Sequence, residues 1–139
     1  MFYFFLSSVA ALRYTLRHKE SGKCLTYDYD LGDCNDLFQI EYSFERRGFM
    51  ISPDEGKFVD FNYQEPTEGL RTTSSEKKAK MYLMPRGKSR TQFIFADCKD
   101  KRKANYMVAV DDGEKPSIWI GADSPYDDSS NIDNFTWVL

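Results

Sequence analysis

A plan of four short strands recurs three times along this chain. Cut before Tyr14, Phe49 and Phe93, each third opens on an alternating strand: Tyr14-Thr15-Leu16-Arg17, Phe49-Met50-Ile51-Ser52 and Phe93-Ile94-Phe95-Ala96. A polar turn then leads into a second strand, Lys23 to Tyr27, Lys57 to Phe61 and Tyr106 to Val110. A short third strand follows near Leu31, Leu70 and Ile118 to Ile120, and an apolar fourth closes each third at Phe38-Gln39-Ile40, Met81-Tyr82-Leu83 and Phe135-Thr136-Trp137. The repeats thus cover about 12–48, 49–92 and 93–139, with loops of unequal length. Alternation with period two buries one face of each strand, and a lone four-stranded unit cannot cover that face by itself. Three such units can close into a six-stranded barrel capped by three hairpins, so the pattern predicts an all-β chain with the β-trefoil arrangement. A propeller needs at least about four blades. A β-sandwich needs strands and turns but no repeat, and stands as the alternative.

The chain has 139 residues, of which 41% are hydrophobic and 16% aromatic, enough to build one core and too apolar for disorder. One domain over residues 12–139 is expected. No stretch sustains an i, i+3, i+4 apolar pattern long enough for a helix. The run "MFYFFLSSVAA" has an apolar core closing on small residues and reads as a short signal peptide, cleaved after Ala10 or Ala11. It carries no Lys or Arg ahead of that core, and its other reading is a first β-strand; "LRYTLRH" directly after it already supplies one. Nothing approaches the roughly 18 apolar residues of a membrane span, so no membrane insertion is expected.

Charge is uneven although the net charge is only −3. From Pro85 to Asn105 stand seven basic residues, Arg86, Lys88, Arg90, Lys99, Lys101, Arg102 and Lys103, against two aspartates. From Asp111 to Asp133 stand seven acids against one lysine. The basic stretch is a candidate anion-binding surface for sulfated glycans, phospholipid headgroups or a nucleic-acid backbone, or else a solvated charge run. Nucleic acid is disfavoured, because the chain is acidic overall and its basic residues are not interleaved with aromatics.

Cys24 and Cys34 lie ten positions apart on neighbouring predicted strands. A metal site would want two more ligands, and the chain offers only Cys98 and its single histidine, His18. The spacing is not the C-x-x-C of a redox motif. A disulfide is the simpler reading and suits an oxidising compartment, with Cys98 a free thiol. Without a leader, all three would be reduced thiols. His18 has no partner in the pattern and reads as a surface residue at a strand end. Catalysis finds no Gly-rich phosphate loop and no metal-ligand cluster, so the chain reads as non-enzymatic, without cofactor or metal.

In Ser21-Gly22-Lys23-Cys24-Leu25, Cys34 and the weaker Phe38-Gln39-Ile40, the first repeat resembles the ricin B-type β-trefoil lectins, whose repeats run Ser/Asn-Gly-Lys-Cys-Leu, then Cys, then Gln-x-Trp. Gly56-Lys57-Phe58-Val59-Asp60 and Asn134-Phe135-Thr136-Trp137 continue the pattern, though no repeat keeps Gln-x-Trp intact. The resemblance implies an intra-repeat Cys24–Cys34 bridge and a sugar site built on a second-strand aspartate, an aromatic and an amide. The second-strand positions here are Thr26, Asp60 and Ala109, so the middle repeat alone keeps the acid, and Asn62, Tyr63 and Gln64 complete its set. Asp60 and Asn62 closing a turn is the plainer alternative. Trp119 should face opposite to Ile118 and Ile120 and is a second stacking candidate. The function expected is a secreted, monomeric recognition domain with glycan or glycoprotein as ligand. The alternatives are a protein-binding trefoil, inhibitor-like or cytokine-like, that uses the loops Tyr63 to Ser75 or Ala122 to Asn134, and a structural component of an extracellular coat.

Overall fold

The computed structural model describes residues 12–63, 69–111, 113, 117–121 and 123–139. The expected leader, residues 1–11, and the candidate Gln64 lie outside them. Strands stand close to where the alternation places them, but the expected first strand, Tyr14 to Arg17, is broken at Thr15 and Leu16 into two short ones. The first third holds β1 (Arg13–Tyr14), β2 (Arg17–His18), β3 (Cys24–Leu25), β4 (Leu31–Gly32) and β5 (Phe38–Ser43). The second holds β6 (Gly48–Ser52), β7 (Phe58–Asn62), β8 (Gly69–Thr73) and β9 (Tyr82–Pro85). The last holds β10 (Gln92–Ala96), β11 (Tyr106–Val110), β12 (Ser117–Gly121) and β13 (Thr136–Val138). Phe135, expected in the final strand, instead ends a 3-10 turn, Ile132–Phe135. The Asn131 side chain caps that turn by accepting the Asp133 N–H at 3.1 Å, which satisfies one of the donors a helix start leaves unpaired.

The strands form a curled antiparallel sheet whose hydrogen-bonded path runs β1-β5-β6-β9-β10-β13-β2 and on to β3 and β4. Arg13 pairs with Gln39 at one end of that path and Arg17 with Val138 near the other. The sheet therefore returns to the chain segment on which it began. The other strands pair as hairpins: β3 with β4, β7 with β8, and β11 with β12. Side-chain ties join the hairpin regions of different thirds. The Tyr29 hydroxyl bonds Thr72, the Tyr63 hydroxyl donates to Asp97 at 2.7 Å, and Lys23 pairs with Asp111 at 2.7 Å.

All three thirds contribute to one core in which Leu16, Leu25, Phe38, Ile51, Phe61, Met81, Phe95 and Trp137 are shut off from solvent. Trp137 and Phe95 stack nearly parallel with centroids 5.5 Å apart. A second apolar cluster, Ile94, Ala96, Ala104, Tyr106, Val108 and Phe135, lies under the last third, with Met84 of β9 packed against it. A disulfide joins Cys24 to Cys34 and ties β3 to the residues following β4. Closing that loop stabilises the fold by about 2–3 kcal/mol, chiefly by restricting the unfolded chain.

The expectation of a surface histidine is corrected. His18 is buried, with its ring 5.2 Å from that of Trp137. Its Nε2 lies 2.7 Å from the Asn134 carbonyl oxygen, which can only accept, so Nε2 carries the proton. Nδ1 then accepts from the Ser21 hydroxyl at 2.8 Å. Burial holds the pKa of this ring below the ordinary histidine value, against the opposing pull of the Asn134 carbonyl and nearby carboxylates.

Candidate functional site

Strand β7 sets Asp60 directly across from Arg71 of β8, and both neighbours of Asp60 along the strand are buried. The carboxylate is 0% exposed. One oxygen accepts from the Arg71 Nε at 3.0 Å and the other from the Lys80 backbone N–H at 2.6 Å. It binds the β7–β8 hairpin to the segment entering β9 and is not offered to solvent. Asn62 is half-buried and also engaged. Tyr63 turns toward the last third, where Asp97 accepts its hydroxyl and also takes the backbone and side-chain N–H groups of Asn105 at 2.8 and 2.9 Å. Burial, with the Asp97 carboxylate beside it, raises the Tyr63 pKa. The residues of the middle repeat therefore sit close in sequence but serve different internal contacts.

The last third presents a concavity of about 280 Å³. Its floor is Tyr106, Val108 and Phe135 of the second apolar cluster, with Trp119 beside them. Alternation along β12 turns Trp119 outward, opposite the buried Ile120, and leaves it 40% exposed. Asp123, Asp127, Ser129 and Ser130 supply the polar lining. Ser130 donates to the Ser124 carbonyl at 2.6 Å, and the Asp127 N–H bonds the same oxygen at 3.3 Å, which folds residues 124–130 into a compact turn. Neither aspartate carboxylate is in an ion pair among the described residues. The Tyr106 hydroxyl donates to the Lys101 carbonyl at 3.1 Å, and burial, then the phenol of Tyr126, pushes its pKa up to about 12, so it stays a donor at neutral pH. A flat aromatic face beside carboxylates and hydroxyl oxygens can stack on one face of a ring and accept hydrogen bonds from its hydroxyls. Sequence reasoning named Trp119 as a stacking candidate and the loop Ala122 to Asn134 as a protein-binding one, but did not join the two; the loop's position straight after a Trp-bearing strand was the available signal.

The seven basic candidates do not gather. Arg86, Lys88 and Arg90 precede β10, and Lys99, Lys101, Arg102 and Lys103 follow it, at its opposite end. Arg86 is neutralised by Asp133 at 2.7 Å and Arg102 lies 3.5 Å from Asp100. Lys99 and Lys101 lie over the rings of Tyr82 and Tyr126. Among the described residues, no group of three or more His, Cys, Asp or Glu could hold a metal ion, and no helix is long and apolar enough to cross a membrane. Neither the protein-family models nor the curated proteins give a match to this chain.

Proposed function

We propose that this chain is a secreted, non-enzymatic recognition module with a β-trefoil fold of the ricin B type, and that the concavity of its last third binds a neutral, hydroxyl-rich ligand such as a glycan. The strand order supports the fold: β1 with β2, β5, β6, β9, β10 and β13 would be the six barrel strands, and the three hairpins the caps. The Cys24–Cys34 bridge suits an oxidising compartment.

One observation carries the ligand class: Trp119 is exposed at the edge of a concavity whose polar rim holds Asp123 and Asp127, neither in an ion pair among the described residues. Those carboxylates would repel an acidic ligand and accept from neutral hydroxyls. The test is a glycan array followed by titration of one hit. Trp119→Ala should weaken binding at least tenfold. Asp127→Ala, by removing a hydrogen bond to a charged group worth about 1.5–3 kcal/mol, should weaken it about ten- to a hundredfold. A folded protein with no glycan hits, or hits indifferent to both substitutions, overturns the proposal.

A second reading, binding to a protein, draws on an apolar surface at the β5–β6 turn. Phe44 is 87% exposed, and Tyr42 meets both Phe44 and Phe49 edge to face with centroids 5.1 Å apart. A blank array with a partner whose capture is lost in Phe44→Ser would favour it.

A further inference from the structure

A separate cleft of about 510 Å³ lies between the first two thirds. It is lined by Arg13 on β1, Tyr27 and Tyr29 from the β3–β4 turn, Asp54 and Lys57 from the turn between β6 and β7, and Thr72 on β8. The sheet register explains how such distant residues meet. Arg13 pairs with Gln39, which pairs with Ser52, so Arg13 stands two strand spacings, about 10 Å, from the start of the Asp54 turn.

The cleft carries two cations and one acid. Neither Arg13 nor Lys57 makes an ion pair among the described residues. The Asp54 carboxylate accepts the Glu55 N–H at 2.8 Å. Of the acids of the β3–β4 region, Asp30 is turned to the Thr26 hydroxyl at 2.6 Å and Asp36 to the Tyr27 N–H at 2.7 Å, while Asp28 and Asp33 are exposed at the turn and do not line the cleft. Tyr27 is 45% exposed yet fixed, because its hydroxyl donates to the Leu37 carbonyl at 2.6 Å and its ring meets Phe38 edge to face. Tyr29 holds a left-handed backbone, φ 61°, a conformation that bulky residues rarely adopt. Its bond to Thr72 and its packing on the core hold it there. Such backbone outliers persist where surrounding contacts impose them, and they cluster at binding sites.

We propose that this cleft is a second binding site, for an acidic sugar residue whose sulfate or carboxylate sits between Arg13 and Lys57 while its ring lies on Tyr27. The site uses none of the residues of the Trp119 concavity, and one can fail without the other.

The test is an NMR titration of the ¹⁵N-labelled full chain at low salt with three probes: a sulfated disaccharide, its unsulfated counterpart and sodium sulfate. The sulfated disaccharide should shift the amides of Arg13, Tyr27 and Lys57 and bind at least tenfold more tightly than either other probe. Arg13→Gln with Lys57→Gln should weaken it at least tenfold, and Lys57→Gln alone, should the double variant lose its dispersed spectrum, several-fold. Lys88→Gln with Arg90→Gln should change nothing. Added salt should weaken the interaction, since exposed charges are screened within about 10 Å at 0.1 M. Any of four results overturns the proposal: no binding, shifts centred on Lys99 to Lys103, affinity unchanged in the Arg13 and Lys57 variants, or equal binding of the unsulfated sugar or of sulfate alone.

Discussion

Replacing Asp60 should cost folding stability whether or not a ligand is present. Its carboxylate is fully enclosed and accepts two hydrogen bonds, from a guanidinium and from a backbone N–H. Hydrogen bonds to charged groups contribute about 1.5–3 kcal/mol each, and removing one partner of a buried pair costs about 3–5 kcal/mol. Arg71 is half exposed, and water can take over part of its share, so the lower half of that range applies: about 3–4 kcal/mol for Asp60→Ala. Asp60→Asn keeps an oxygen for the Lys80 N–H but turns an amide NH2 toward the Arg71 guanidinium, donor against donor, so it loses that hydrogen bond as well as the charge and should cost about 1.5–3 kcal/mol. Against a typical domain stability of about 5–15 kcal/mol, the alanine loss is large. Urea unfolding with tryptophan fluorescence measures it, with the slope m unchanged if the native state keeps its extent. A double-mutant cycle with Arg71→Ala should show positive coupling, because the two side chains touch. Should Asp60→Ala unfold within about 1 kcal/mol of wild type while abolishing glycan binding, the carboxylate would be a ligand group after all, and the reasoning from its burial would fail.

Two further outcomes follow from packing and protonation. His18 is held neutral in the fold with its pKa below the ordinary value near 6.5, so in the window between the two values the unfolded chain binds the extra proton. Stability should therefore fall as pH drops from about 6.5 through the lowered folded-state value, and then level off. Because the chain has one histidine, its ring proton signal reports this directly, and a midpoint at or above 6.5 would refute it. Gly48→Ala would place a Cβ 2.5 Å from the Tyr82 ring, which lies under the Arg46 guanidinium at 4.8 Å and the Lys99 ammonium at 5.6 Å. Overpacking there should cost about 1–3 kcal/mol in a thermal or urea melt, and a neutral result would show that the Tyr82 ring moves freely.

The strands were legible because alternation is local: "FQIEY", "KFVDF" and "IWIG" each carry their own period, and Trp119 faces outward as its neighbours Ile118 and Ile120 require. Side-chain partners were less legible because they come from far along the chain. Asp60 looked like a ligand acid in "FVDFN", but Arg71 and Lys80, eleven and twenty residues on, enclose it. His18 was readable in part. It stands two residues after Leu16, hence on the same strand face, and that face is buried. Its partner Asn134 lies 116 positions away, and no local pattern points there. The cleft beside Arg13 was invisible for the same reason, since the first and second thirds had to be set side by side before Arg13 and Lys57 could be seen to share it.

The segment Arg13 to His18 serves as neighbour to β5 on one side and to β13 on the other. It acts as a latch on the whole sheet. A proteolytic cut just after His18 that released it would strip a partner from β5, β13 and β3 at once and leave raw edges with unpaired N–H and C=O groups ready to template another chain. The natural repair would be to borrow the latch of a second molecule, an exchange that yields swapped dimers and, where it fails to close, longer chains. Folding has the same dependence in time. The pairing of Arg17 with Val138 joins residues near opposite ends of the described chain, so the edges of β2 and β10 that face β13 stay open until β13 is in place, and aggregation competes with folding throughout that interval.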